Sequence, residues 1–273
     1  MKDVTFGSFY PANSFVHKMD ARAKILFSIA YLVAVFLVRS YHFLGFLACF
    51  VFVLLTTIFS KVPFLRVLKS IKMILFFIIH SAVSQKFFNK TGTPHWDGGF
   101  ITDEGLLNAG FIVARITLVV LGASLLTLTT TPVELADGIE SLLTPLKYIK
   151  FPVHEFALIM SIALRFIPTL LDETDRIIKA QKARGADFET GNIFKRAKAL
   201  IPVLIPLLIS SFRRADELAD AMDSRCYAGS KNRTRYKKLK FTYRDLIGLI
   251  FVSALIVGIV FLNKFYILLA VGL

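Results

Sequence analysis

Charge is scarce in this 273-residue chain: Asp, Glu, Lys and Arg make up 19% of it, against about 25% in soluble domains. Acidic residues are scarcer still, 19 against 33 Lys and Arg, which leaves a formal net charge of +14. Cysteine is limited to Cys49 and Cys226, far apart and without a Cys-x-x-Cys. That excludes a disulfide-stapled secreted protein. No Gly-x-x-x-x-Gly-Lys-[Ser/Thr] phosphate loop occurs, and the stretch Gly185–Gly191 lacks the lysine. The chain is therefore expected neither to bind nor to hydrolyse ATP. The five histidines (17, 42, 80, 95, 154) show no paired ligand spacing. No Ser/His/Asp or paired-carboxylate set is recognisable, and Asp172 and Glu173 read as a solvated helix face. No catalytic residue, metal or cofactor is expected.

What is abundant is apolar surface. Hydrophobic residues make up 55% of the chain and 27 residues are Phe, with a mean hydropathy of +0.64. An ordinary soluble enzyme is excluded. A membrane span needs about 20 mostly apolar residues. Four regions fit: Ile25–Val38 (extendable to Ala23 and Tyr41), Phe43–Phe59, Leu106–Leu128 and Leu246–Leu262. A fifth, Met73–Phe88, is interrupted by His80, Ser81, Ser84 and Gln85. The start, Met1 to Asp20, has no apolar run beside its first positive charge and does not read as a cleavable signal.

Five crossings put the two ends on opposite sides, and the positive-inside rule chooses between them. With the N-terminus cytoplasmic, residues 1–24, 60–72 and 129–245 are inside and hold 4, 4 and 20 of the 33 Lys/Arg. The C-terminus then falls outside, and the turn-rich Thr91–Glu104 becomes an external loop. Two further apolar runs, Val153–Leu171 and Leu200–Phe212, carry Glu155, Arg165, Pro168, Pro202 and Pro206. If the first crossed, Arg176, Lys179, Lys182, Arg184, Lys195, Arg196 and Lys198 would lie outside. Both are read instead as amphipathic helices against the other helices and the inner leaflet. The basic run from Lys231 to Lys240 directly precedes the last span, where it anchors the inner interface and anionic lipid rather than nucleic acid. His80 and Arg115 read as polar contacts between spans, or as a pathway if the chain is a self-sufficient carrier or channel.

The cytoplasmic region has its own order. Thr131-Pro132-Val133-Glu134 combines a capping threonine, a proline suited to the first helical position and a capping-box glutamate. That short helix runs to about Leu143, before Pro145. Pro152 opens a second helix with an apolar stripe of Phe156, Met160, Ala163, Ile167, Leu170 and Ile177, stopping at Gly185. A third runs from about Ile193 to Arg225. The two long helices share a tail, since Asp175, Ala180 and Arg184 are spaced as Asp216, Ala221 and Arg225 are. A terminal arginine complements the helix dipole. Small neighbours (Ala183 and Gly185, Ser224 and Cys226) also suit insertion into a partner's acidic groove.

At these residues the chain resembles the transmembrane T component of energy-coupling factor (ECF) transporters over nearly its whole length. The resemblance is carried by Ser14-x-x-His17-x-x-Asp20-x-Arg22-x-Lys24, by Thr129-Thr130-Thr131-Pro132 with Glu134-Leu135, and by Leu142-Leu143-Thr144-Pro145-Leu146. Its most specific part is a pair of short motifs usually written Ala-Arg-Gly. Ala183-Arg184-Gly185 matches, and Ser224-Arg225-Cys226 departs at its third position. The resemblance implies an all-α polytopic membrane protein of about five transmembrane helices with long amphipathic coupling helices. Its parts would be a membrane domain of four spans (1–130), a cytoplasmic coupling domain (131–243) and a last span (244–273). It implies a non-catalytic coupling subunit in the cell membrane for uptake of vitamins or other micronutrients. Ala183, Arg184, Gly185, Ser224, Arg225 and Cys226 would dock on two ABC ATPase subunits. Phe156, Met160, Ala163, Ile167, Leu204 and Leu208 would cradle a substrate-binding membrane protein, the S component, which holds the selectivity.

Overall fold

A computed structural model describes residues 9–39, 43–68, 72, 76, 80, 103–149, 152–188, 190, 192–227, 229 and 241–271. Among them there is no β-strand, as expected of an all-α chain. The principal helices are α1 (Ala21–Leu37), α2 (Phe43–Ser60), α3 (Asp103–Thr129), α4 (Pro132–Leu143), α5 (Val153–Ala183), α6 (Ile193–Asp223) and α7 (Tyr243–Val271). A 3-10 turn over Thr144–Ile149 separates α4 from α5.

Four described helices are long and apolar enough to cross a membrane: Phe43–Ser60, Leu107–Thr129, Val153–Ala183 and Tyr243–Phe265. The 17 residues of α1 reach about 26 Å at a rise of about 1.5 Å per residue, and they contain most of the first expected span. The expected span Met73–Phe88 lies outside the described residues apart from positions 76 and 80. The third candidate is α5, which meets the length and composition although its charges favour an amphipathic reading.

The described residues form two compact units, one of residues 9–138 and 241–271 and the other of residues 139–229, the chain passing between them within α4. In the first, α1 and α2 each pack against α3 and α7. Tyr31, Val35, Cys49, Val53, Leu121 and Ile259 form its buried core. One glycine sets the closeness of that packing. A Cβ on Gly122 would stand 2.2 Å from the Tyr31 ring, so α3 reaches Tyr31 only because no side chain intervenes. The Tyr31 hydroxyl in turn donates to the Leu118 carbonyl at 3.2 Å. Outward-facing Leu, Ile, Val and Phe on these helices are exposed, as lipid-facing positions are.

Polar groups close both ends of α1. Arg115 donates to the Val38 carbonyl at 2.6 Å and lies 5.6 Å over the Phe46 ring, so it satisfies a helix-end carbonyl from a neighbouring helix. That is the interhelical contact expected of it. The other end is a clasp built from the Ser14-to-Lys24 motif. Asp20 caps α1 by accepting from Arg22 N, while its own N–H donates to Asp245 at 2.9 Å. Asp245 also accepts from Thr242 N at 2.7 Å and so starts α7. Lys24 donates Nζ to the His17 and Thr129 carbonyls, both at 3.0 Å. His17 must be the donor toward the Tyr10 carbonyl (2.9 Å) through Nε2, which leaves Nδ1 to accept from Ser14 (2.7 Å). Desolvation lowers the His17 pKa and favours that neutral ring. Asp20, Lys24 and Asp245 are all buried, so the clasp ties α1, α3 and α7 together with paired rather than orphaned groups.

Candidate functional site

The second unit is organised by α5 and α6, each 31 residues long, or about 46 Å. The start of α5 lies beside the signals legible in the chain. Pro152 precedes α5 and Glu155 sits in its first turn, where a carboxylate complements the helix dipole. Upstream, Glu134 N donates to the Thr131 hydroxyl at 3.2 Å at the start of α4, the capping bond expected there. Pro168 lies within α5, and Pro202 and Pro206 within α6. Each helix segregates apolar from polar residues along one face, unlike α1 and α7, which are apolar all round.

The two arginine tips end in the same backbone turn. At the end of α5, Ala186 N donates to Gln181 O at 3.0 Å and Gly185 N to Lys182 O at 3.0 Å. At the end of α6, Tyr227 N donates to Met222 O at 3.1 Å and Cys226 N to Asp223 O at 2.9 Å. Both are Schellman turns, which satisfy carbonyls that the helix leaves open. Arg184 and Arg225 thus hold equivalent C-cap positions. The turn needs a residue at positive φ, and Gly185 (φ 86) and Cys226 (φ 55) supply it. The third-position departure in Ser224-Arg225-Cys226 therefore leaves the turn intact, at the strain of a non-glycine residue in left-handed backbone.

Ala183, Arg184, Gly185, Ser224, Arg225 and Cys226 are all exposed. Neither arginine side chain makes a hydrogen bond or ion pair among the described residues. Their guanidinium groups are consequently free to take a partner's carboxylates. The residues singled out for an apolar contact also lie at the surface. Phe156, Met160, Ala163, Leu204 and Leu208 are exposed and Ile167 is half-buried. Neighbours extend that surface, notably Ile159, Leu200, Ile205 and Ile209.

The α5–α6 contact itself holds a group that the sequence reading misassigned. Glu173, read as part of a solvated face, instead bridges the two helices. Its Oε1 accepts from the Ser210 hydroxyl at 2.7 Å, and its Oε2 pairs with the Arg214 guanidinium. Ser210 and Arg214 stand four residues apart on one face of α6, which lets both reach a single carboxylate. A polar groove of about 410 Å³ adjoins the pair, lined by Asp172, Arg176 and Ile177 among others. Farther along, Gln181 donates to the Pro202 carbonyl at 3.4 Å, so α5 and α6 run side by side in opposite directions here.

Among the described residues no three His, Cys, Asp or Glu side chains gather as a metal site. A cavity of about 540 Å³ among α1, α2, α3 and α7 is walled by Phe27, Tyr31, Phe52, Leu125 and Phe251 and other apolar groups. Its one ionised lining residue, Lys24, is already bonded to two backbone carbonyls.

Residues 12–236 match the family described as cobalt transport protein. The chain is 52% identical over 249 residues to the energy-coupling factor transporter transmembrane protein EcfT of Ruminiclostridium cellulolyticum, covering 90% of this chain and 92% of that one. It is similarly 49% identical over 251 residues to the Clostridium kluyveri EcfT (91% and 92% covered). With the Acidaminococcus fermentans EcfT it shares 48% over 265 residues (96% and 98%).

Proposed function

The chain belongs to the cobalt transport protein family, among the transmembrane components of ECF transporters, and from that premise we propose that it couples an ATP-driven motor to a separate substrate-binding subunit. In this reading Arg184 and Arg225 dock in acidic grooves of two ABC ATPase subunits. The exposed apolar residues of α5 and α6, Phe156, Met160, Ala163, Ile167, Leu204 and Leu208 among them, carry an S component for uptake of vitamins or other micronutrients. ATP binding closes the ATPase pair, α5 and α6 shift, and the S component reorients to release substrate inward.

The observation that carries this reading is the equivalence of the two tips, two exposed guanidinium groups held by matching turns at the ends of matching helices. A guanidinium offers a planar fork of donors suited to bidentate carboxylate binding. Arg184→Glu and Arg225→Glu should each reduce co-purification of the ATPase subunits, and the double change should reduce it at least tenfold while membrane insertion is unaffected. Normal co-purification of the doubly reversed chain would refute the docking. Acidic partner residues reversed to arginine should restore it.

The remaining assignments follow the same reading. Without a phosphate loop the purified chain hydrolyses no ATP by itself. The Lys/Arg asymmetry of the short loops supports a cytoplasmic N-terminus and α5–α6 unit and a C-terminus outside the cell membrane. The self-sufficient carrier is disfavoured by Arg115, whose guanidinium is engaged by the Val38 carbonyl and the Phe46 ring. Liposomes holding the chain alone should accordingly move no solute.

A further inference from the structure

The Glu173 bridge divides the two long helices in a way that neither motif nor composition announces. Glu173 lies eleven positions before Arg184, and Arg214 lies eleven before Arg225. At about 1.5 Å per residue each arm is about 16 Å long. The bridge therefore stands at the same distance from both arginine tips.

The halves on either side of it differ. From Glu173 to Ala183 and from Arg214 to Asp223 neither helix contains a proline. Each of these arms is an unbroken hydrogen-bonded ladder, able to carry a displacement along its length. Pro168, Pro202 and Pro206 all precede the bridge in their own helix, where missing N–H groups make the helix easier to bend. The exposed apolar residues, from Phe156 to Ile167 and from Leu200 to Ile209, lie in those same halves. The bridge is the charge-assisted contact of the pairing, beside the longer neutral hydrogen bond from Gln181 to the Pro202 carbonyl. One carboxylate takes a hydroxyl on one oxygen and a guanidinium on the other, with the Glu173 and Arg214 side chains 25% and 33% exposed. A partly sheltered, charge-assisted pair of this kind holds two helices more firmly at its own point than a long neutral hydrogen bond does elsewhere.

We propose that Glu173, Ser210 and Arg214 form the fulcrum of a double lever. Displacement of the arginine tips pivots α5 and α6 about this point and moves their apolar, proline-bearing halves. The three act as positioning residues, touching neither nucleotide nor substrate. The proposal rests on the coupling function above and adds to it where the motion is centred.

The test uses the chain assembled with its two ATPase subunits. Nitroxide labels are placed on exposed residues of the apolar halves, Arg165 and Lys198, through an unnatural amino acid, so that Cys49 and Cys226 stay native. Pulsed electron resonance then reads the label-to-label distance with and without the non-hydrolysable analogue AMP-PNP. The native complex should show a nucleotide-dependent shift. In Glu173→Gln/Arg214→Gln that shift should fall at least twofold, although ATPase co-purification is unchanged because both tips are intact. The charge-swapped Glu173→Arg/Arg214→Glu should recover it. An undiminished shift in the double glutamine variant would overturn the fulcrum, and so would a swap that behaves like the glutamine pair, since the bridge would then be merely structural. Failure of the unlabelled native chain to bind the ATPase subunits would count instead against the coupling function.

Discussion

The two compact units solve the problem of apolar surface in opposite ways. In the unit of α1, α2, α3 and α7, facing side chains bury one another around Tyr31, Val53, Leu121 and Ile259, and the buried charged side chains Asp20, Lys24 and Asp245 are gathered in one clasp. In the unit of α5 and α6, the described buried residues dwindle to Val153, Ala157 and Val203, while Ile159, Leu204, Ile205, Leu208 and Ile209 stay exposed. At about 25 cal/mol per Å² of apolar area, a helix pair that covers so little of itself gains little from its own packing. The first unit is held by its own contacts. The second leaves its apolar faces exposed, and its two long helices are joined by the Glu173 bridge and by the longer Gln181–Pro202 hydrogen bond.

That contrast can be broken most severely at the clasp. Asp245→Ala removes the acceptor for the buried Asp20 N–H and the part-buried Thr242 N–H, and should destabilise the α1–α3–α7 unit by about 3 kcal/mol. Asp245→Asn, which keeps one acceptor oxygen, should cost clearly less. Thermal unfolding of the detergent-solubilised protein checks the order, and amide exchange in α5 and α6 should not change. A smaller effect of opposite sign sharpens the comparison. Cys226→Gly relieves a non-glycine residue at φ 55 and should stabilise the end of α6 by about 1 kcal/mol, seen as slower exchange at Cys226 and Tyr227 without a shift in the first unit's melting.

What could be read from the chain was what is decided locally. The start of α4 at Pro132, its end at Leu143 and the start of α5 at Val153 have a proline or a cap within a few residues, and all were legible. The exposed position of Arg184 and Arg225 was legible too, because a C-terminal tip in a polar half-helix has nothing beside it to be buried against. The clasp was not. Asp245 meets Asp20 across 225 positions, and nothing around either residue names the other. Glu173 was misread for the same reason, since a carboxylate on an amphipathic helix looks solvated until the facing helix presents Ser210 and Arg214. The turn at Cys226 was hidden differently, because cysteine has no preference for left-handed backbone and its φ is imposed by the helix end that it closes.

The docking of the two tips is tested most directly by position-specific photo-cross-linking in native membranes, with a diazirine-bearing residue placed next to each arginine, at Ala183 and at Ser224. Irradiation followed by mass spectrometry should join both positions to ABC ATPase subunits. Products confined to lipid, or to other segments of the same chain, would contradict the account.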